Sequence, residues 1–162
     1  MVRRFLLNTA GAAATEMVLM LPVVLALVFA TFEGAYFLWS EHIVIKGVRD
    51  GARYGGRSDF NLYTGDCTVD AGLTTNIQEL TRTGRLTGGT SRLRDWVNSD
   101  VTVECARVTS VQTGLYKSFG TAGAPVVTVS TVFTYQTLFG RFTGFDSTLT
   151  LRARAQAAVM GL

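Results

Sequence analysis

The sequence predicts an α+β protein: one long N-terminal transmembrane α-helix, followed by a small periplasmic or extracellular head with a short helix and a three-stranded antiparallel sheet. Three observations predict it. Residues 17–32 (MVLMLPVVLALVFATF) carry no charge, helical spacing of apolar residues continues beyond them to Gly55-Gly56, and from residue 101 onward apolar residues recur at every second position in three runs. With 162 residues, 48% hydrophobic and 17% charged, and a mean hydropathy of +0.27, the chain can build one core and is too apolar to be intrinsically disordered.

The first element is the apolar segment, which extends over residues 12–39 if one acid is admitted at either side. About 20 helical residues cross a ~30 Å hydrocarbon layer, and a chain of this size has little protein with which to wrap such a segment as a core helix. Before it stands a short leader, MVRRFLLNTAG, charged only at Arg3 and Arg4, which reads as a cytosolic anchor. A cleaved secretory signal is the alternative, with Val28-Phe29-Ala30 as its cut site. Glu16 argues against that, because a carboxylate at the edge of hydrocarbon costs on the order of 2.5–3.5 kcal/mol and calls for a partner. Cleavage after Gly11 supplies one: the new amine of Ala12 lies four residues, one helical turn, before Glu16 and on the same face, within the chain or on a neighbouring subunit.

Pro22 lacks an N–H and crowds the carbonyl of Val18, so a bend is expected there, with neighbouring helices satisfying the freed oxygen. Glu33 follows Glu16 by 17 residues, about 26 Å along a helix, and reads as an interfacial anchor beside Tyr36 and Trp39. Lys46, Arg49, Arg53 and Arg57 outnumber the two leader arginines, so orientation follows from the leader and the cysteines and not from the basic count.

Past the membrane, Leu38, Ile45, Val48 and Ala52 continue the helical spacing, with Glu41, His42, Lys46 and Arg49 solvated, until Gly55-Gly56 ends the helix. Gly47, Gly51 and Gly55 share a face on which another backbone could approach closely; a frayed, glycine-weakened terminus accounts for them equally well. Residues 57–66 form a polar loop. The organisation expected is therefore leader 1–11, helix with its aqueous extension 12–56, and head 57–162. In the head, Val69, Leu73, Ile77 and Leu80 trace a short amphipathic helix, and Leu93, Trp96 and Val97 suggest a helical turn. Strands follow around 101–105, 127–135 and 149–157, joined by loops near 114–123 and 140–145. Cys67 and Cys105, 38 positions apart, form a disulfide in an oxidising compartment, closing a loop worth up to roughly 4 kcal/mol; reduced thiols would require a cytosolic head.

Other chemistry is sparse. One histidine and two cysteines cannot make a zinc site. Asp66 and Asp70 could touch calcium, but they lack the ligand density of a calcium loop and could equally solvate or cap the helix. No nucleophile elbow, phosphate loop, C-x-x-C or H-E-x-x-H occurs, and His42 stands alone, so neither an enzyme nor a cofactor is expected. The net charge is +3 and the pI near 9.1, yet 13 of the 15 basic residues are arginines scattered from Arg3 to Arg154, which does not suggest a nucleic-acid partner.

Gly11-Ala12-Ala13-Ala14-Thr15-Glu16 between a short basic leader and a long apolar run resembles the class III signal peptide of type IV prepilins. Together with Leu21-Pro22, Phe32-Glu33-Gly34 and Val48-Arg49-Asp50-Gly51-Ala52-Arg53-Tyr54, it makes residues 1–57 similar to the TadE-like family, pseudopilin-like proteins of the Tad (tight adherence) type IVc pilus. The resemblance implies a pilin-like layout and a minor pilin or pseudopilin role in assembly of an adhesive pilus. It further implies cutting between Gly11 and Ala12 by a prepilin peptidase, and helix–helix contacts through Glu16, Pro22 and Glu33. The implied partners are that peptidase, other pilin or pseudopilin subunits, the inner-membrane assembly platform and the lipid bilayer. The location implied is a single pass of the bacterial inner membrane, N-terminus in the cytoplasm and head in the periplasm, or a place in an extracellular filament. The rival class is a membrane-anchored or secreted binding module for which the helix is only an anchor.

Overall fold

The computed structural model describes residues 11–140 and 149–161. Residues 1–10 of the expected leader, and the part of the 140–145 loop beyond Gly140, lie outside the described residues. Helix α1 (Ala12–Gly56) is followed by a 3-10 turn (Phe60–Leu62), strands β1 (Tyr63–Thr64) and β2 (Thr68–Val69), helix α2 (Ala71–Thr83), and strands β3 (Val101–Val108), β4 (Ala124–Thr134) and β5 (Thr150–Ala158). The fold is the long-helix α+β arrangement expected, and it divides into two compact units.

The first unit comprises α1 up to Phe37 together with residues 137–140. Helix α1 is long and apolar enough to cross a membrane: its best 18-residue window has a mean hydropathy of 2.2, and none of that window is buried. Leu19 is 76% exposed and Leu27 62%, which for side chains of this kind is the signature of a surface meant for something other than water. The helix continues through Pro22.

The second unit, Leu38–Gln136 with residues 149–161, contains the head and its core. Sheet order is β3-β4-β5, antiparallel throughout, with Cys105 opposite Val127 and Val127 opposite Ala157. Period-two alternation puts Val101, Val127, Val129, Phe133 and Leu151 inside, while Thr102, Glu104, Arg152, Arg154 and Gln156 face water. On the buried side, Trp96 donates from Nε1 to Thr131 Oγ1 at 3.2 Å, and that hydroxyl donates onward to the Asp100 carbonyl at 2.7 Å. The one indole in the core therefore has its polar atom satisfied, as burial demands.

Helix α2 starts where Asp70 Oδ1 accepts from Gly72 N (2.8 Å) and Leu73 N (3.0 Å), and it stops at Gly84 in the left-handed region (φ 77°). Asp70 is thus a helix cap. The last carbonyls of α1 are also accounted for: Tyr54 O accepts from Arg57 N, Gly55 O from Ser58 N and the Tyr63 hydroxyl, and Gly56 O from Met160 N at 2.8 Å. Cys67 and Cys105 are disulfide-bonded with Cα atoms 5.3 Å apart, tying the β1–β2 ribbon to β3.

Several local expectations are corrected: Val69, expected in the short amphipathic helix, lies in β2 before the Asp70 cap, and most of the expected 114–123 loop is a 3-10 helix, Gly114–Ala122. The buried stripe of α1 within the head is Ser40, Val44, Val48 and Ala52, four apart on one face, and Leu38 (57% exposed) and the half-buried Ile45 lie off that stripe. Residues 93–97 are a bend and turn, not a helical turn: Asp95 sits at φ 61°, which a right-handed helix excludes, and a short 3-10 segment follows at Asn98–Asp100. Leu93 and Trp96 are buried all the same, since a turn also brings residues three apart to one side, whereas Val97 is exposed. The 57–66 stretch is more ordered than a polar loop, holding the 3-10 turn and β1 with a buried Tyr63.

Candidate functional site

The candidate site residues fall in two places along α1. In the first unit, Glu16 is exposed and stands one turn after Ala12 on the continuous helix, the spacing needed for pairing with an amine created at Ala12. Pro22 has no amide hydrogen, so the Val18 carbonyl has no N–H from position 22 to accept, the local weakness expected of an intrahelical proline.

Glu33 has a partner that lies more than a hundred residues away in sequence. Its Oε2 accepts from the backbone N–H of Leu138 at 3.1 Å and of Phe139 at 3.3 Å, and Oε1 lies 3.3 Å from the Leu138 nitrogen. One turn earlier on α1, the Phe29 ring packs on Phe139 with centroids 4.9 Å apart. Between them runs an apolar groove of about 540 Å³ bordered by Pro22, Leu25, Phe29, Glu33 and Phe139. Glu33 is therefore more than an interfacial anchor: it holds a returning segment of chain against the helix. No local signal in the sequence marks that pairing.

In the second unit, Gly47, Gly51 and Gly55 are buried and face α2. A methyl at Gly47 would collide with the Thr81 carbonyl, and one at Gly51 with the Thr81 hydroxyl. At Gly55 it would press on Ile77 Cδ1 (3.0 Å), Tyr63 Oη (3.2 Å) and Val127 Cγ1 (3.2 Å). The close-packing face is occupied by the head's own helix. The Thr81 hydroxyl is buried against it without a hydrogen-bond partner. Tyr63 closes the end of the seam, its hydroxyl 2.7 Å from Gly55 O, and burial pushes its pKa from 10.0 up to about 12.

Around the seam, Glu79 Oε1 accepts from Asn98 (3.1 Å) and Arg82 (2.9 Å), while Arg82 also donates to Asn98 Oδ1 and Trp96 O. The Asn98 hydrogen bond and, after it, the Arg82 contacts hold the Glu79 carboxyl below its usual pKa against a desolvation effect of opposite sign. This cluster fastens α2 to the 96–98 turn. His42 is exposed on α1, and Asp66 is exposed in the β1–β2 turn. Among the described residues no three His, Cys, Asp or Glu side chains gather as a metal site would require.

The fold and site thus define a class: a protein with one N-terminal helix able to span a membrane and a small disulfide-bonded α+β head. Within that class, residues 11–53 match the family model of the TadE-like protein, which covers the apolar helix and most of the glycine seam. The match ties the chain to the Tad pilus system in general terms and agrees with single-pass membrane anchoring. Neither curated proteins nor solved structures gave a match.

Proposed function

We propose that this protein is a minor pilin or pseudopilin-like structural subunit, not an enzyme, acting in assembly of a Tad-type adhesive pilus from the bacterial inner membrane. The observation that carries the reading is the coincidence of the TadE-like segment with a helix whose most apolar 18-residue window has none of its residues buried. A prepilin peptidase cuts after Gly11 on the cytoplasmic side. The freed amine of Ala12 and the Glu16 carboxylate then neutralise one another within the subunit or between subunits, so that the helix can pack against other pilin or pseudopilin helices and the assembly platform. The head lies in the periplasm, where its disulfide forms.

N-terminal sequencing or mass spectrometry of the membrane-extracted protein tests the processing: a start at Ala12 is expected, and an intact Met1 or a start at Thr31 would refute it. Glu16→Ala should insert in the membrane normally yet fail to co-purify with sheared filaments or partner subunits. Wild-type piliation in that variant would remove the pairing role. If an unrelated transmembrane helix replaces residues 12–39 without loss of function, the helix is only an anchor and the pilin reading fails.

A further inference from the structure

We propose that residues 137–140 are a second membrane contact, inserted in the outer leaflet beside α1 and held there by Glu33. The inference rests on reading α1 as a membrane span. Phe29 belongs to the uncharged run and lies four residues before Glu33, about 6 Å deeper along the helix axis. Phe139 packs directly on Phe29, so the segment carrying it reaches the depth of the hydrocarbon edge and does not stop at the headgroups. Leu138, the neighbouring side chain, is 46% exposed, an apolar surface that lipid covers at that depth.

Irregular backbone entering an apolar layer must bring its own hydrogen-bond partners, because lipid offers none. The N–H groups of Leu138 and Phe139 both end on the Glu33 carboxyl. The same pairing answers the opposite question, why an acid is tolerated at the end of a span: its oxygens are occupied by two backbone donors. Continuity of this small patch with the exposed apolar surface of α1 on the same compact unit identifies its occupant as the bilayer that receives the helix.

The test uses the full chain, whose two native cysteines are paired, so that single introduced cysteines carry a nitroxide label. Leu138→Cys, Leu27→Cys in the span and Thr102→Cys on the water-facing sheet are reconstituted in phosphatidylethanolamine/phosphatidylglycerol vesicles. The accessibility of each label to oxygen, which concentrates in lipid, is compared with its accessibility to a water-soluble nickel chelate. The expected result is an oxygen-to-nickel ratio at position 138 close to that at 27 and severalfold above that at 102, falling towards the value at 102 when Glu33→Ala is added. A lipid-like ratio at 27 with a water-like ratio at 138 overturns this inference alone. Water-like ratios at both overturn the membrane reading and the inference with it. Shielding of 138 from both reagents means that a protein helix fills the groove, which also overturns it. An unchanged ratio in the Glu33→Ala background removes Glu33 as the clasp.

Discussion

Along the glycine seam, two neighbouring substitutions of the same kind should differ in whether one second-site change rescues them. Gly51→Ala places a methyl on the Thr81 hydroxyl, and Gly47→Ala places one on the Thr81 carbonyl with Trp96 Cη2 3.2 Å away. Each gains about 1 kcal/mol of helix propensity and loses about 1–3 kcal/mol to overpacking. Thr81→Ala deletes the atom in the way at position 51, and that hydroxyl has no partner to strand. With it gone, the remaining neighbours of the new methyl, Ile77 Cγ2 at 3.4 Å and Ile77 O at 3.5 Å, are ordinary contacts. At position 47 the obstacle is backbone, which no side-chain substitution removes. Double-mutant cycles should therefore give a coupling of about 1–3 kcal/mol for Gly51→Ala with Thr81→Ala, and within about 0.5 kcal/mol of zero for Gly47→Ala with Thr81→Ala. Urea unfolding of the full chain in mild detergent, followed by near-UV circular dichroism, measures both. Equal couplings at the two positions, or none at 51, would refute the packing argument.

The remaining expectations concern the head. The Tyr63 pKa is raised in the fold, so the stability it contributes is complete below pH 10 and is lost as pH climbs towards 12; two units correspond to about 2–3 kcal/mol. Tyr63→Phe should cost about 1 kcal/mol at neutral pH through the lost bond to Gly55 O, yet lack the alkaline slope. The two stability curves should approach one another above pH 10 and cross before pH 12, and parallel curves would refute the assignment. Thr131→Val strands both the Trp96 indole N–H and the Asp100 carbonyl, so a loss of about 2–4 kcal/mol is expected, read from the urea midpoint; a loss under about 0.5 kcal/mol, the usual size for a surface site, contradicts it. Replacing Cys67 and Cys105 together by alanine should lower stability by up to roughly 4 kcal/mol without abolishing membrane insertion, checked by carbonate extraction beside the unfolding curve.

Much of the fold was legible because it is written in short-range periodicity. The uncharged run, the alternation at Val127, Val129 and Phe133, and the spacing of Leu73 and Ile77 each report locally on what a helix or strand must bury. The disulfide was legible from compartment and count. What stayed hidden depends on contacts between distant residues or on the absence of bulk. Leu38 and Ile45 continued the apolar spacing with Val48 and Ala52, but the stripe that faces the head is Ser40, Val44, Val48 and Ala52, beside the glycines that α2 approaches. Leu93, Trp96 and Val97 looked helical because a turn and a helix share the same three-residue spacing, and only the positive φ at Asp95 separates them. Glu33 read as an anchor because its donors, Leu138 and Phe139, lie across the whole head in sequence.

The end of α1 closes on material made late. Gly56 meets Ala157 Cβ and Ala158 O, and its carbonyl waits for the amide of Met160. In chain order the C-terminal end of α1 precedes β5 by about a hundred residues. Until that strand is in place, Gly56 and its carbonyl lack their cover, although α2 already lies on Gly47 and Gly51.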